Sequence, residues 1–418
     1  MTETHVVTCF LRHRGDVLLL RRSEAVGSYT GRWGGVAGHV ADDAGRDRTP
    51  EAAARAEISE ETGLADACSL VRRGDPFTVT DAELGREWLV HPFLFDCNSR
   101  DVTTNEETAA VEWVSPTAIL RRETVPDLWT SYDRVRPTAE SVAADRTHGS
   151  AYISVRALEV LRDEAGLATE RGGDWAAIAE TARELRAARP TMTALGNRVN
   201  RAMAAATDRT PRAVERAASA AIETALDADD AAAETAATIV GGDRLVTLSR
   251  SGTVERALAL ADPESVLVAE SRPGGEGVGV AERLAPDHDV TLCPDAALAH
   301  ELATDAYDAV LVGADTVLLD GRVLNKAGTR AVALAADHEG VPVYAVAAAA
   351  KVSPDPDPRF ESADSADVYD GPADLSVHAP LFDVTPAPLL AGVITEDGLL
   401  DASDVAAVAE QHRARRDW

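Results

Sequence analysis

Cysteine is scarce. Four residues in a chain of 418, Cys9, Cys68, Cys97 and Cys293, contain no C-x-x-C pair, which removes the basis for a disulfide framework or a structural zinc site. All four are expected to be buried or idle thiols. Basic charge is also short: 41 Lys and Arg face 70 Asp and Glu, a formal net charge of -29 spread along the whole chain. Such a balance repels nucleic acid phosphate and anionic lipid, so direct nucleic acid binding is not expected. Lysine itself is nearly absent, Lys326 and Lys351 being the only two. Long apolar runs are missing as well. The longest, Val341 to Ala350, holds about ten residues and a proline, against the roughly 20 needed to span a bilayer. The first residues, Met1-Thr2-Glu3-Thr4-His5, offer neither a basic start nor an apolar segment, so no membrane association is expected and the cytoplasm is the expected location.

What remains is an ordinary folding composition, 45% apolar and 27% charged, and a length that predicts two or three domains at roughly 150 residues each. An acidic excess distributed in this way resembles the proteins of organisms that hold molar salt in the cytoplasm. Salt of that strength screens self-repulsion. The expected result is unfolding on dilution and stabilisation by molar potassium chloride; a melting temperature unchanged between dilute and molar salt would contradict it.

Three regions follow one another. Residues 1–135 mix strand and helix, with apolar strands at His5 to Phe10, Asp16 to Leu20 and Trp88 to Phe95. One clear helix is bracketed by Thr49 and Pro50 at its start and Gly63 at its end. Residues 138–236 turn to Ala, Arg and Glu with apolar positions at helical spacing, a helical layer without a catalytic grouping. Residues 237–418 alternate short apolar runs with amphipathic segments: Arg244 to Leu248, Ser265 to Ala269, Val290 to Leu292, Ala309 to Val312 and Val341 to Ala347. That alternation predicts a parallel sheet covered on both faces, an α/β architecture whose ligands bind beyond the carboxyl ends of the strands.

In the first region Glu57, Glu60 and Glu61 stand at i, i+3 and i+4, on one face of the helix, while Ile58 points toward a core. Clustered carboxylates repel one another unless a cation neutralises them, and a hard divalent ion such as magnesium, or manganese, suits such oxygen donors. The run Gly31 to Val40, then Thr49-Pro50-Glu51 and Glu57-Ile58-Ser59-Glu60-Glu61-Thr62-Gly63-Leu64, resembles the Nudix hydrolase box. The resemblance covers residues 1–135 and implies an α/β/α sandwich that cleaves a diphosphate linked to a nucleoside or similar group. It implies Glu57, Glu60 and Glu61 as metal ligands and catalytic groups, with Gly38 turning the chain beside the metal. Departures are visible: the loop between Gly38 and the helix is four residues longer than the family pattern, Arg48 replaces the first glutamate of the box, and Ala56 replaces its arginine. Arg55 is spaced to pair with Glu51, and Glu106 and Glu107 are candidates for a further base.

In the third region Leu311-Val312-Gly313-Ala314-Asp315-Thr316 and Leu324-Asn325-Lys326-Ala327-Gly328-Thr329 resemble the initiation factor 2B alpha/beta/delta family, which includes the ribose-1,5-bisphosphate and methylthioribose-1-phosphate isomerases. Glu270-Ser271-Arg272-Pro273, Tyr344 through Lys351, Phe382 to Pro386 and Arg189-Pro190-Thr191 add to the resemblance, which covers about 138–400. It implies a Rossmann-like sheet, a homo-oligomer, Asp315 as a catalytic group, and Ser249, Arg272, Asn325, Lys326 and Lys351 around a sugar phosphate or nucleotide. The isomerases carry a cysteine where Ser249 stands here. A serine proton is far more tightly held than a thiol proton, so the isomerase implication weakens while binding persists. Both lysines of the chain fall on these motifs, where a compact point charge suits phosphate. The reading is a magnesium-dependent hydrolase of a nucleoside diphosphate derivative joined to a sugar-phosphate or nucleotide site. Its alternatives are a regulatory protein of the translation-factor type whose Nudix domain only binds ligand, and a sugar-phosphate isomerase.

Overall fold

The structure is a computed structural model that describes residues 4–41, 48–82, 84–242 and 244–418. The chain begins with β1 (Thr4–His13) and β2 (Asp16–Arg22), a hairpin whose two-residue loop, Arg14-Gly15, has positive φ at both positions, as a tight turn of this hand requires. β3 (Trp33–Gly34) and β4 (Val36–His39) precede α1 (Pro50–Thr62). Thr49 caps that helix by accepting from the Ala52 N–H, Pro50 fills its first turn, and Gly63 closes it in the left-handed region at φ 68. β5 (Cys68–Arg73), β6 (Phe77–Asp81), β7 (Arg86–Cys97), β8 (Thr108–Val114) and α2 (Leu128–Asp133) complete this part.

The strands form one mixed sheet in the order β3-β2-β1-β7-β5, with β4 on β1, β6 on β7 and β8 on β2. Alternation along β1 divides the core. Val7, Cys9 and Leu11 pack with Ala53, Ala54 and Ile58 of α1 on one face. Phe10 joins Leu128 and Tyr132 of α2 on the other. One cysteine expectation is overturned here. Cys68 and Cys97, opposite one another in the β5–β7 register, are disulfide-bonded, while Cys9 and Cys293 are free and buried. Strand register brought together two cysteines that no local spacing connected.

Helices α3 (Ala139–Ala144), α4 (Ser150–Arg171), α5 (Trp175–Ala188), α6 (Thr193–Ala205) and α7 (Pro211–Val240) follow in chain order. By compactness the chain forms two units, and this helical run is shared: Glu159–Ile178 and Asp208–Glu223 group with the first sheet, the remainder with the second. The first unit buries charge at this point. Arg12 pairs with Asp96 at 2.6 Å and with Glu159 at 3.0 Å; Arg162 pairs with Asp163 at 2.9 Å and donates to the Gly15 carbonyl at 2.6 Å. Paired in this way, the fully buried carboxylates of Glu159 and Asp163 are supplied with cations that offset their desolvation.

The second unit is built on β9 (Arg244–Leu248), α8 (Gly252–Ala261), β10 (Ser265–Ala269), α9 (Glu276–Leu284), β11 (Asp289–Cys293), α10 (Leu298–Thr304) and β12 (Ala309–Gly313). Then come β13 (Thr316–Val317), β14 (Val323–Lys326), α11 (Thr329–Glu339), β15 (Val343–Val346), β16 (Phe382–Thr385), β17 (Gly392–Thr395), β18 (Gly398–Leu400) and α12 (Ala402–Ala414). The main sheet runs β11-β10-β9-β12-β15-β17-β18, parallel throughout except for the last pair. Apolar clusters cover both faces, which explains why its strands read as unbroken apolar runs. Successive strands leave β9 in opposite directions, β10 to one side and β12 to the other. Such a reversal opens a crevice beyond the carboxyl ends of β9 and β12. Ser249 follows β9 directly, and Asp315 stands just beyond β12. A small antiparallel sheet, β13-β14-β16, carries Asn325 and Lys326.

Candidate functional sites

In the first unit a cavity of about 570 Å³ is lined by Glu57, Glu60, Glu61 and Glu107. The geometry of α1 explains three of them, since i, i+3 and i+4 share a face. Glu61 is 7% exposed and accepts from the Ala37 N–H at 3.2 Å. Burial raises its pKa to about 8, and the charges of Glu57 and Glu107 add to the effect. Gly38 leaves the room that Glu57 occupies: a Cβ there would stand 2.0 Å from the Glu57 carboxyl carbon. Glu60 is exposed. Glu106 instead offers its backbone carbonyl to the Ser23 hydroxyl at 2.7 Å.

Arg48, at the position of the first box glutamate, donates to the His39 carbonyl at 3.1 Å and approaches Glu57 to 3.7 Å. A guanidinium therefore supplies part of the neutralisation that a cation would give. Arg55 reaches Glu51 at 3.1 Å, as its spacing predicts. The extra loop residues fall within 42–47, outside the described residues. Among the described residues no three Asp, Glu, His or Cys side chains already stand close enough together to hold a metal ion. The donor chemistry nevertheless fits one: a carboxylate driven toward protonation by burial, and further by two other carboxylates, is what an oxygen-seeking cation would stabilise.

Sequence reasoning missed the other walls of this cavity. Tyr29 and Trp88 line it with ring centroids 5.9 Å apart, and Arg22 and Arg86 line it too. The Tyr29 hydroxyl donates to Asp81 at 2.6 Å, and burial, reinforced by that acceptor, raises its pKa to about 12. Tyr29 also holds a left-handed backbone at φ 54, uncommon for an aromatic residue. No periodicity or motif marks a tyrosine in a polar loop as a wall residue.

In the second unit Asp315 and Lys351 form an electrostatic pair at the head of the crevice. Burial pushes the Asp315 carboxyl up and the Lys351 ammonium down, while each charge opposes the shift of the other and Lys326 further favours ionised Asp315. Lys351 is 8% exposed and donates to the Ala314 carbonyl at 2.5 Å. Lys326, equally buried, is ion-paired with Glu276, a residue the sequence reading did not place in the site. Asn325 donates to the Thr329 hydroxyl at 2.9 Å. Ser249 is held left-handed at φ 62, with its N–H donating to the Ser271 hydroxyl at 2.6 Å.

Arg272 behaves differently from the lysines. Its backbone N–H donates to Asp295 at 2.6 Å, but its guanidinium is 68% exposed and pairs with Glu270 at 3.2 Å. The N-terminus of α11 is also taken: Asp383 accepts from the N–H groups of Gly328 and Arg330 at 2.8 and 3.1 Å. An anion there would have to displace that carboxylate. Lys351 and Lys326 both act on Asp315, whereas the Arg272 guanidinium is exposed and paired with Glu270.

Residues 146–402 match the family model described as the Initiation factor 2 subunit family, and residues 1–135 match the NUDIX domain model. A methylthioribose-1-phosphate isomerase of Pseudomonas putida is 37% identical over 158 residues, which span 35% of this chain and 44% of that protein. A ribose 1,5-bisphosphate isomerase of Haloferax volcanii is 32% identical over 295 residues, 64% of this chain and 88% of that protein. A solved 5-methylthioribose 1-phosphate isomerase of Pyrococcus horikoshii OT3 superimposes with a TM-score of 0.54 at 20% identity. That match covers 73% of this chain and 89% of the other, a likeness of fold. No helix among the described residues is long and apolar enough to cross a membrane.

Proposed function

The chain belongs to the Initiation factor 2 subunit family, and from that premise we propose that its NUDIX domain hydrolyses a nucleoside diphosphate derivative while its larger unit binds a phosphorylated sugar or nucleotide. The observation that carries the hydrolase reading is one cavity in which Glu57, Glu60, Glu61 and Glu107 face the Tyr29 and Trp88 rings. Magnesium, or manganese, held by Glu57, Glu60 and Glu61 would supply charge neutralisation and Lewis acidity at the diphosphate. Arg22 and Arg86 supply fixed positive charge for phosphate oxygens, and the paired rings offer a face for a nucleobase. Glu107, outside the helix, stands as the proton acceptor for water, with Glu61 held by the Ala37 N–H.

Stacking of a base on an aromatic ring is worth about 1–3 kcal/mol. Tyr29→Ala and Trp88→Ala are each expected to raise KM for a nucleoside diphosphate sugar about tenfold or more, with a smaller effect on kcat. Steady-state kinetics in molar potassium chloride with magnesium checks this. Unchanged KM in both variants would remove the base-stacking wall from the account.

A second reading, sugar-phosphate isomerisation in the larger unit, is favoured by the pairing of Asp315 with Lys351 and by the activities named for the relatives. Asp315, driven toward protonation by its surroundings, is suited to exchange a proton with a sugar carbon or hydroxyl. Lys326 and Lys351 supply compact cations for phosphate once Glu276 yields Lys326. Pairing with a second copy and stability in molar salt belong to the same proposal.

A further inference from the structure

Two departures of the first unit from the Nudix box meet at one carboxylate. Arg48 stands where the box has its first glutamate, and Ala56 where it has its arginine. Arg48 lies just before Thr49, the cap of α1. Its guanidinium is fixed from three directions. Nε donates to the Val40 carbonyl at 3.3 Å, Nη2 donates to the His39 carbonyl at 3.1 Å, and Nη2 lies 3.7 Å from Glu57 Oε1. Those carbonyls belong to the two residues directly after Gly38, whose missing side chain makes room for the Glu57 carboxyl. Backbone acceptors therefore hold the planar fork beside Glu57 independently of the pull of Glu57 itself.

The pair is partly desolvated, with the Arg48 side chain 27% and the Glu57 side chain 16% exposed, so salt screens it less than it screens a surface pair. Arg55, next to Ala56, is committed elsewhere: it bonds Glu51 at 3.1 Å and lies over the Phe95 ring. The charge balance of the cavity shows what Arg48 changes. Three arginines, Arg22, Arg48 and Arg86, line it against the four glutamates already named. With a glutamate at position 48, two positive groups would face five negative ones. A lining of that second kind depends on a bound cation to hold its carboxylates together, whereas the first carries part of that cation in the chain.

We propose that Arg48 is a resident counter-cation of the metal site: it occupies Glu57 in the metal-free domain, competes there with the divalent ion, and so lowers the affinity of the domain for free metal. The proposal rests on the hydrolase reading of this cavity. Sharing a carboxylate with a fixed guanidinium costs an incoming cation part of its attraction, and the same guanidinium relieves repulsion among the carboxylates when no metal is bound. Manganese(II) binding to the full chain, followed by the electron paramagnetic resonance of the free ion at one fixed potassium chloride concentration, tests it. Surface carboxylates in a chain of net charge -29 also take up manganese, so the site is the component that Glu61→Gln removes. Arg48→Gln keeps an N–H donor for the His39 carbonyl and removes the charge; it is expected to tighten that component about tenfold. Arg48→Glu should tighten it further, and Arg48→Lys should stay within about twofold of the parent. An arginine that only braces the loop predicts the reverse, weaker binding in Arg48→Gln. In EDTA, Arg48→Gln should melt below the parent, and manganese should raise its melting temperature by more than it raises the parent's. If Arg48→Gln does not fold, Arg48→Glu against Arg48→Lys reads the same charge. A Glu61-dependent component that removal of the Arg48 charge leaves unchanged or weakens would overturn the proposal and leave the hydrolase reading standing. No Glu61-dependent component in the parent or in any Arg48 variant would remove the metal site, and both readings with it.

Discussion

Glu60→Gln and Glu61→Gln are each expected to lower hydrolysis of a nucleoside diphosphate derivative by orders of magnitude while leaving the fold intact. The expectation rests on a divalent ion that needs ionised oxygens: an amide keeps the shape of the carboxylate and removes the charge that binds the metal. Glu61 adds a pH signature that does not depend on turnover. Its pKa is raised from 4.5 to about 8 in the folded protein without metal. A carboxyl whose folded pKa is raised binds more protons when folded, so metal-free stability should fall as pH rises from about 4.5 through about 8. Below that window Glu61 has no effect on the slope. Glu61→Gln should flatten the fall, and magnesium should restore stability at its upper end. Thermal melts across pH, with EDTA or with magnesium, read this directly. Near-normal turnover in both variants, or a pH slope that Glu61→Gln leaves unchanged, would place the metal elsewhere.

In the larger unit, Asp315→Asn is expected to abolish whatever isomerisation of ribose-1,5-bisphosphate the protein performs, and Ser249→Cys to raise it. Removing one of two groups that move a proton typically costs 10² to 10⁴-fold. The unmodified chain should therefore isomerise poorly. A thiol at position 249 would restore an acid that can ionise near neutral pH, whereas the serine hydroxyl requires a neighbour to deprotonate it. Binding behaves separately. Lys326→Ala and Lys351→Ala should weaken ribose-1,5-bisphosphate in titrations where Ser249→Cys does not. Robust isomerisation by the unmodified protein, insensitive to Asp315→Asn, would contradict the assignment.

Where the physics was local, the sequence was informative. The Thr49, Pro50 and Gly63 signals located α1 to within a residue, because capping is decided by neighbours in the chain. The strand of Arg244 to Leu248 and that of Ser265 to Ala269 were readable end to end as apolar runs, because both faces of their sheet are covered. The Cys68–Cys97 bond was not legible, being fixed by the register of β5 against β7 across 29 residues. Nor were the partners that decide what a charged residue is free to do. Arg272 and Lys326 read alike as phosphate-binding cations. In the fold one is exposed against Glu270, while the other is buried against Glu276. The left-handed loop residue Tyr29 likewise acquires meaning only when distant segments meet.

The central claim is that the NUDIX domain of this chain is a working diphosphate hydrolase. It is tested most directly by incubating the full protein, in molar potassium chloride with magnesium, with nucleoside diphosphate sugars, dinucleoside polyphosphates and nucleoside triphosphates, and following phosphorus resonances over time. The account predicts cleavage of a diphosphate bond in at least one class, abolished by EDTA and by Glu61→Gln. Tight binding of these compounds without cleavage in any class would contradict it and leave the domain a ligand-binding module.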